Sequence, residues 1–233
     1  MGHFNIRHFL FLLLPVLFFS RASAQVKKAA ESEQPRDVKI VDERKDKSGN
    51  TIRTIQYYKG NNRITETVIV KPNLNFRVPI SADTMNKDSV LIVVNKSKYM
   101  VEVFYRRRKI RSYKAVFGPK PMENKTCEGD RCTPEGWFTI SSKKPNSKYH
   151  MFMLLNYPND SSVARFNALK EKGVLPHSAR IGGDVGIHGI WKGGDDMIEM
   201  GVGWTDGCVA IKNKDMEELY SFSGVGTRVL IRK

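Results

Sequence analysis

IHGIWKGGDDMIEMGVGWTDGCVAIKN, residues 187–213, sets a histidine and a cysteine at opposite ends of a glycine-rich segment. Gly189 follows His188 and Gly207 precedes Cys208, so the backbone beside each reactive side chain can turn sharply and let a substrate approach closely. Ile187 before the histidine and Val209, Ala210 and Ile211 after the cysteine read as two short strands. If these strands are neighbours, imidazole and thiol meet, which is the arrangement of a cysteine nucleophile activated by a base. The intervening loop holds Trp191, Trp204 and the pair Asp195-Asp196; it reads either as a lid or substrate rim or as ordinary loop packing.

Working outward, residues 214–222 have the signals of a short helix. Asn213 is the expected N-cap, Asp215, Glu217 and Glu218 complement the first turns, and Gly224 follows the end. Residues 229–231 form a last strand. Upstream, apolar runs at 90–95, 99–105, 110–117, 137–142 and 151–155 are bounded by turn-forming clusters and read as strands. Between Asp160 and Gly173 the period changes: Val163, Phe166, Leu169 and Lys170 fall at helical spacing, with Asp160 or Ser161 available as a cap. Further toward the N-terminus, residues 38–44, 51–58 and 63–70 alternate charge with Val, Ile and Thr and are separated by KDKSGN and KGNN. They predict a three-stranded meander with one solvated face. The fold class is therefore mainly β, a β-rich α+β chain with a mixed sheet and two short helices. Residues 38–88 form the meander extension and residues 89–233 the main domain.

The 233 residues, 40% hydrophobic and 27% charged, are those of a globular chain. Residues 1–24 read as a secretory signal peptide: Arg7 and His8 give a weakly basic start, residues 9–19 an apolar run, and Ala22-Ser23-Ala24 a small-residue cleavage site. That run is about half of the roughly 20 apolar residues a spanning helix needs. Export to the periplasm or cell wall, with no membrane span after cleavage, is the expectation; residues 25–37 then form a linker. A net charge of +15 favours an anionic partner. Arg106-Arg107-Arg108-Lys109 reads as a solvated hairpin tip rather than a nucleic-acid patch, so nucleic acid is not an expected partner.

In an oxidising compartment Cys127 and Cys132, within TCEGDRCTPEG, can close a small loop by a disulfide; they can also remain free thiols. No cofactor or metal is expected, since two cysteines without a matching second pair do not make a four-ligand zinc centre. His150 and His177 lack a catalytic setting and read as surface residues.

Three blocks now stand together: Gly129-Asp130 with Thr133-Pro134-Glu135-Gly136, then Ile187-His188-Gly189, then Thr205-Asp206-Gly207-Cys208. In this order they resemble the signature of the L,D-transpeptidase catalytic domain, the YkuD-type domain of bacterial cell-wall enzymes, over residues 89–232. The resemblance implies a mainly β fold around a cysteine-histidine site acting on peptidoglycan stem peptides. It also implies that the Gly189 carbonyl orients the imidazole in place of a third side chain. Many members carry His before the Gly-Cys pair and Arg two places after the cysteine, where this chain has Asp206 and Ala210. In CVAIKN and in the PNSKY and YPN segments the sequence is more similar to a branch that includes enzymes hydrolysing the link between lipoprotein and peptidoglycan. A peptidoglycan-linked lipoprotein is thus the alternative partner.

On chemistry alone, Cys208 is the nucleophile and His188 its base. The N–H groups of Gly207 and Cys208 are the expected oxyanion donors. Thr205, Asp206, Trp191 and Trp204 are the candidate substrate contacts. The opposing reading is a non-catalytic wall-binding module that uses the basic surface and the meander to hold an anionic polymer.

Overall fold

The computed structural model describes residues 35–47, 50–70 and 76–233. The expected signal peptide and nearly all of the linker lie outside the described residues. Within them, no helix is long and apolar enough to cross a membrane.

The meander is present as β1 (Arg36–Lys45), β2 (Thr51–Lys59) and β3 (Asn62–Val70), paired antiparallel in that order. Arg36 and Asp37, assigned above to the linker, already belong to β1. The outer strand β1 is largely exposed, Ile40 and Val41 included.

Eight further strands close into a barrel: β4 (Val90–Asn95), β5 (Met100–Tyr105), β6 (Arg108–Val116), β7 (Gly136–Ser147), β8 (His150–Leu155), β9 (Gly186–His188), β10 (Val209–Ile211) and β11 (Arg228–Arg232). Their order around the barrel is β10-β6-β5-β4-β11-β7-β8-β9. The β11–β4 and β10–β9 pairs are parallel and the others antiparallel, which gives the mixed sheet expected from the sequence. Strand β4 reads VLIVVN with hardly a polar break because it is covered on both faces.

Among the described residues three α-helices accompany the barrel: α1 (Asp160–Glu171), α2 (Asp195–Met200) and α3 (Asn213–Phe222). The first and third are the two expected. Their caps differ from the expectation. Asn159, not Asp160 or Ser161, caps α1, accepting from the Ser162 N–H at 3.0 Å. At α3 the cap position falls on Lys212, without a side-chain hydrogen bond. Helix α2 lies in the segment read as a lid or as loop packing. Three of its six residues, Met197, Ile198 and Met200, are buried, and Gly201 ends it at φ +76, a left-handed conformation that glycine adopts freely. Helix α2 is therefore a packing element of this segment.

Two apolar clusters follow from the alternation of β9 and β10. Val209, Ile211 and Ile187 point into the main core with Tyr113, Phe117, Met153, Leu155 and the α3 residues Met216, Leu219 and Phe222. Ala210 points the other way, into a second cluster with Val116, Ile190, Met197, Ile198, Met200 and Val202, to which β2 contributes Ile55 and Tyr57. The meander is thereby seated on the same side of β10 as Ala210. An arginine at 210 would be driven into an apolar cluster where Ala210 has no exposure, at the cost of burying an unpaired charge.

Candidate active site

Strand register brings the histidine and the cysteine together. In the parallel β9–β10 pair Ala210 is opposite His188 and Val209 opposite Ile187. Cys208, one residue before Val209, thus comes beside Gly186, and side chains two apart share a face. Imidazole and thiol therefore stand diagonally on one face. Both line a cleft of about 590 Å³, in the range of small-molecule sites.

The imidazole is 1% exposed and ringed by aromatic side chains. It stacks on Tyr149 at 4.8 Å between centroids and on Phe152, its register partner on β8, at 5.8 Å, while Trp204 meets it edge-on at 5.5 Å. Burial pushes its pKa down to about 4, against the upward pull of the Gly189 carbonyl and with a further downward push from Lys148. The ring is therefore neutral at pH 7. Its Nδ1 lies 2.6 Å from the Gly189 carbonyl oxygen. A carbonyl only accepts, so Nδ1 carries the proton and Nε2 is left as the basic nitrogen. The Gly189 carbonyl is the partner that the family resemblance names for this ring.

Asn213, expected as a cap, has a different role. Its Oδ1 accepts from the Ile190 N–H at 2.7 Å, and a Cβ at Gly189 would come within 2.3 Å of that oxygen. Asn213 thus braces the backbone immediately after the histidine, and glycine at 189 is needed for the approach.

Cys208 is half-buried and its thiol donates to the Asp184 carbonyl at 3.5 Å. Burial pushes the thiol up to about 11; the Gly186 N–H and Lys125 pull it down, while Asp206 and Asp184 add to the rise. The resting pair is a neutral thiol beside a neutral imidazole. The turn before it is tied by Thr205, whose hydroxyl donates to the Cys208 carbonyl at 2.7 Å and accepts from the Gly207 N–H at 3.3 Å. The Gly207 N–H, expected as an oxyanion donor, is thereby turned toward Thr205.

Gly207 itself sits at φ +134, and a Cβ there would come within 2.7 Å of the Cys132 carbonyl oxygen. The Gly129-Asp130 block explains why that carbonyl is fixed. Asp130 accepts from the N–H groups of Thr126 (2.6 Å), Cys127 (3.0 Å) and Cys132 (3.0 Å) and pairs with Lys125 at 2.9 Å. Of the two states open to Cys127 and Cys132, the structure shows the free thiols: all three cysteines are unbridged. The two sulfurs take different partners, Cys132 toward the Asp130 carbonyl at 3.3 Å and Cys127 toward the Thr126 hydroxyl at 3.9 Å. Asp130 closes the loop instead.

Burial alone raises the Asp130 carboxyl, but the N–H groups of Cys132 and Thr126, the Lys125 ammonium and the Cys127 N–H outweigh it and hold the pKa below the usual carboxylate range. A depressed carboxylate stabilises fully above its unfolded pKa of about 3.9, and that contribution is lost as pH falls through the folded value. Asp130→Asn is expected to cost about 1–3 kcal/mol at pH 7. Thermal unfolding checks it: the gap between wild type and variant should close as pH drops below about 4, and a gap independent of pH refutes the assignment.

Of the candidate substrate contacts, Trp204, Thr205 and Asp206 line the cleft. Asp206 is exposed and paired with Arg131 at 3.0 Å. Trp191 packs edge-on against Trp204 at 5.0 Å and belongs to the second apolar cluster, so it supports the wall from behind. Sequence reasoning missed Tyr149, Phe152, Asp184 and Asn213, whose positions depend on strand pairing. His150 contacts Glu217 at 2.9 Å and His177 is exposed. Among the described residues no group of three or more His, Cys, Asp or Glu could hold a metal ion.

The profile of the L,D-transpeptidase catalytic domain matches residues 89–231. The chain belongs to this family. Comparison with curated proteins returns no match. Among solved structures, an L,D-transpeptidase from Xylanimonas cellulosilytica is similar at 17% identity over 63% of this chain and 62% of that one, with a TM-score of 0.39. L,D-transpeptidase 1 of Mycobacterium tuberculosis matches at 13% identity over 78% and 71%, TM-score 0.39. An Enterococcus faecium L,D-transpeptidase matches at 17% over 62% and 50%, TM-score 0.40. The matched part is thus under two thirds of the first of these chains.

Proposed function

We propose that this L,D-transpeptidase-family chain is an exported cysteine acyltransferase acting on peptidoglycan stem peptides. One observation carries the reading: the His188 Nδ1 contact to the Gly189 carbonyl leaves Nε2 basic on the face of the sheet that bears Cys208. The neutral pair calls for concerted general-base catalysis rather than a preformed thiolate. A rotation of the Cys208 side chain from the Asp184 carbonyl toward Nε2 starts the reaction. Nε2 takes the thiol proton as sulfur attacks the donor carbonyl, and the oxyanion is met by the Cys208 N–H. Collapse breaks the C–N bond, and the imidazolium returns the proton to the leaving amine. An acyl thioester remains on Cys208. Attack by a second amine gives a new amide link, and attack by water gives a shortened stem.

Transpeptidation is the primary reading. Hydrolysis, including release of a peptidoglycan-linked lipoprotein, is the second, and a specific observation favours it. The segment 190–204 is packed through Ile190, Met197, Ile198, Met200 and Val202, so it is not a hinged cover that would keep water from the thioester. The sequence likeness to the branch with Ala at position 210 points the same way.

Incubation of the protein with purified muropeptides, read by mass spectrometry, separates these outcomes. Crosslinked dimers are expected; only shortened or released species, even at high amine concentration, assign the hydrolase. No covalent adduct and no product at all would return the chain to the wall-binding reading.

A further inference from the structure

The cleft is not made by the barrel alone. Lys59, at the tip of the β2–β3 hairpin, lines it together with Lys144 and Lys148 of the β7–β8 hairpin. The β2–β3 turn is tight: Lys59 pairs with Asn62, and Gly60 takes φ +59. Ile55 and Tyr57, buried against the barrel, anchor the strand that carries Lys59 to the cleft.

These three lysines differ from other cations nearby. Arg53, Lys114 and Lys212 are paired with Glu43 or Glu199. Lys59, Lys144 and Lys148 form no ion pair among the described residues, and Lys148 Nζ rests 4.7 Å from the centre of the Tyr149 ring that stacks on the histidine. Residues distant in sequence converge on one concave site, where three lysines outnumber the two lining aspartates, Asp184 and Asp206, of which Asp206 is already paired with Arg131. The excess of unpaired lysines favours an anionic ligand. A solvated surface would not require them to meet at the cleft, and the seating of the hairpin by two buried side chains fixes that meeting.

We infer that the three-stranded sheet is a wall of the substrate site, and that Lys59, with Lys144 and Lys148, receives the carboxylate groups of the acyl substrate. The inference deepens the acyl-transfer reading and rests on it for the identity of the ligand. It assigns the meander a part in specificity: removing or reversing Lys59 selects against acidic stems without touching the nucleophile or its base.

The test is equilibrium binding to the full chain carrying Cys208→Ala, which holds the substrate without turnover. The probes are a stem-peptide muropeptide with free carboxylates and the same compound with its carboxylates converted to carboxamides, titrated by calorimetry. Lys59→Glu in that background should weaken the acidic form about tenfold and leave the amidated form within about twofold. Lys59→Met, which keeps the aliphatic stem, should give a smaller loss with the same selectivity, and added salt should shrink the wild-type preference for the acidic form. Equal losses for both probes, unchanged binding, or no binding of either probe to the parent protein each overturns the proposal. If selectivity is as expected but protein with Cys208 intact forms no acyl adduct, the acyl-transfer reading fails and the cationic wall stands.

Discussion

Cys208→Ala abolishes turnover of muropeptides and leaves the protein folded; this is the largest effect expected of any single substitution. In the proposed reaction the Cys208 sulfur forms the covalent intermediate, and alanine offers no nucleophile, so the loss should be at least about 10⁴-fold. The structural change is small. The side chain is half-buried at the cleft and its hydrogen bond to the Asp184 carbonyl is long, so unfolding stability should stay within about 1 kcal/mol of wild type. Intact-protein mass spectrometry after exposure to donor muropeptide checks both points together with a melting curve. An adduct on the variant, or residual turnover of the purified protein, removes Cys208 from the mechanism.

His188→Ala should lower the rate of acylation about 10²–10⁴-fold. A loss of rate alone would not separate a base from a packing residue, because the ring fills the space beside Tyr149, Phe152 and Trp204. The pH profile of alkylation by iodoacetamide does. Burial holds the imidazole near 4 and raises the thiol to about 11. Below pH 4 the protonated ring accepts nothing, so the wild-type rate falls there. Above it the neutral ring assists, and the rate is level until free thiolate appears toward pH 11. Without the ring the level region disappears and the rate climbs about tenfold per pH unit, following the thiolate fraction. A variant profile parallel to wild type would make His188 a structural residue.

The contrast between these two residues and their neighbours shows how far sequence reaches. His188-Gly189 and Gly207-Cys208 were legible because each reactive side chain sits beside a glycine and at a short apolar run, all local signals. Asn213 misleads for the same reason. Next to a helix start an asparagine reads as a cap, yet its side chain is drawn to the Ile190 N–H across the junction between β9 and α3. Phe152 carries no signal of its own and gains its place only as the register partner of His188. Helix α2 was hidden because two glycines, two aspartates and a short apolar run mimic a loop, and a six-residue helix is held by burial rather than by propensity. Cys127 and Cys132 show what spacing leaves open: it permits a bridge, but the direction of each side chain decides it.

By itself the sequence determined the strand-rich class, the three-stranded N-terminal sheet, two of the helices, and the candidate histidine and cysteine, because these depend on periodicity, turn chemistry and the residues immediately beside each reactive group. The tertiary structure alone decided that the barrel closes through the parallel β9–β10 pair, that thiol and imidazole share a face, that both rest in their neutral forms, and that Lys59 reaches the cleft. Those properties depend on register between segments far apart in the chain and on how much water each group loses. Both are set only when the whole core packs.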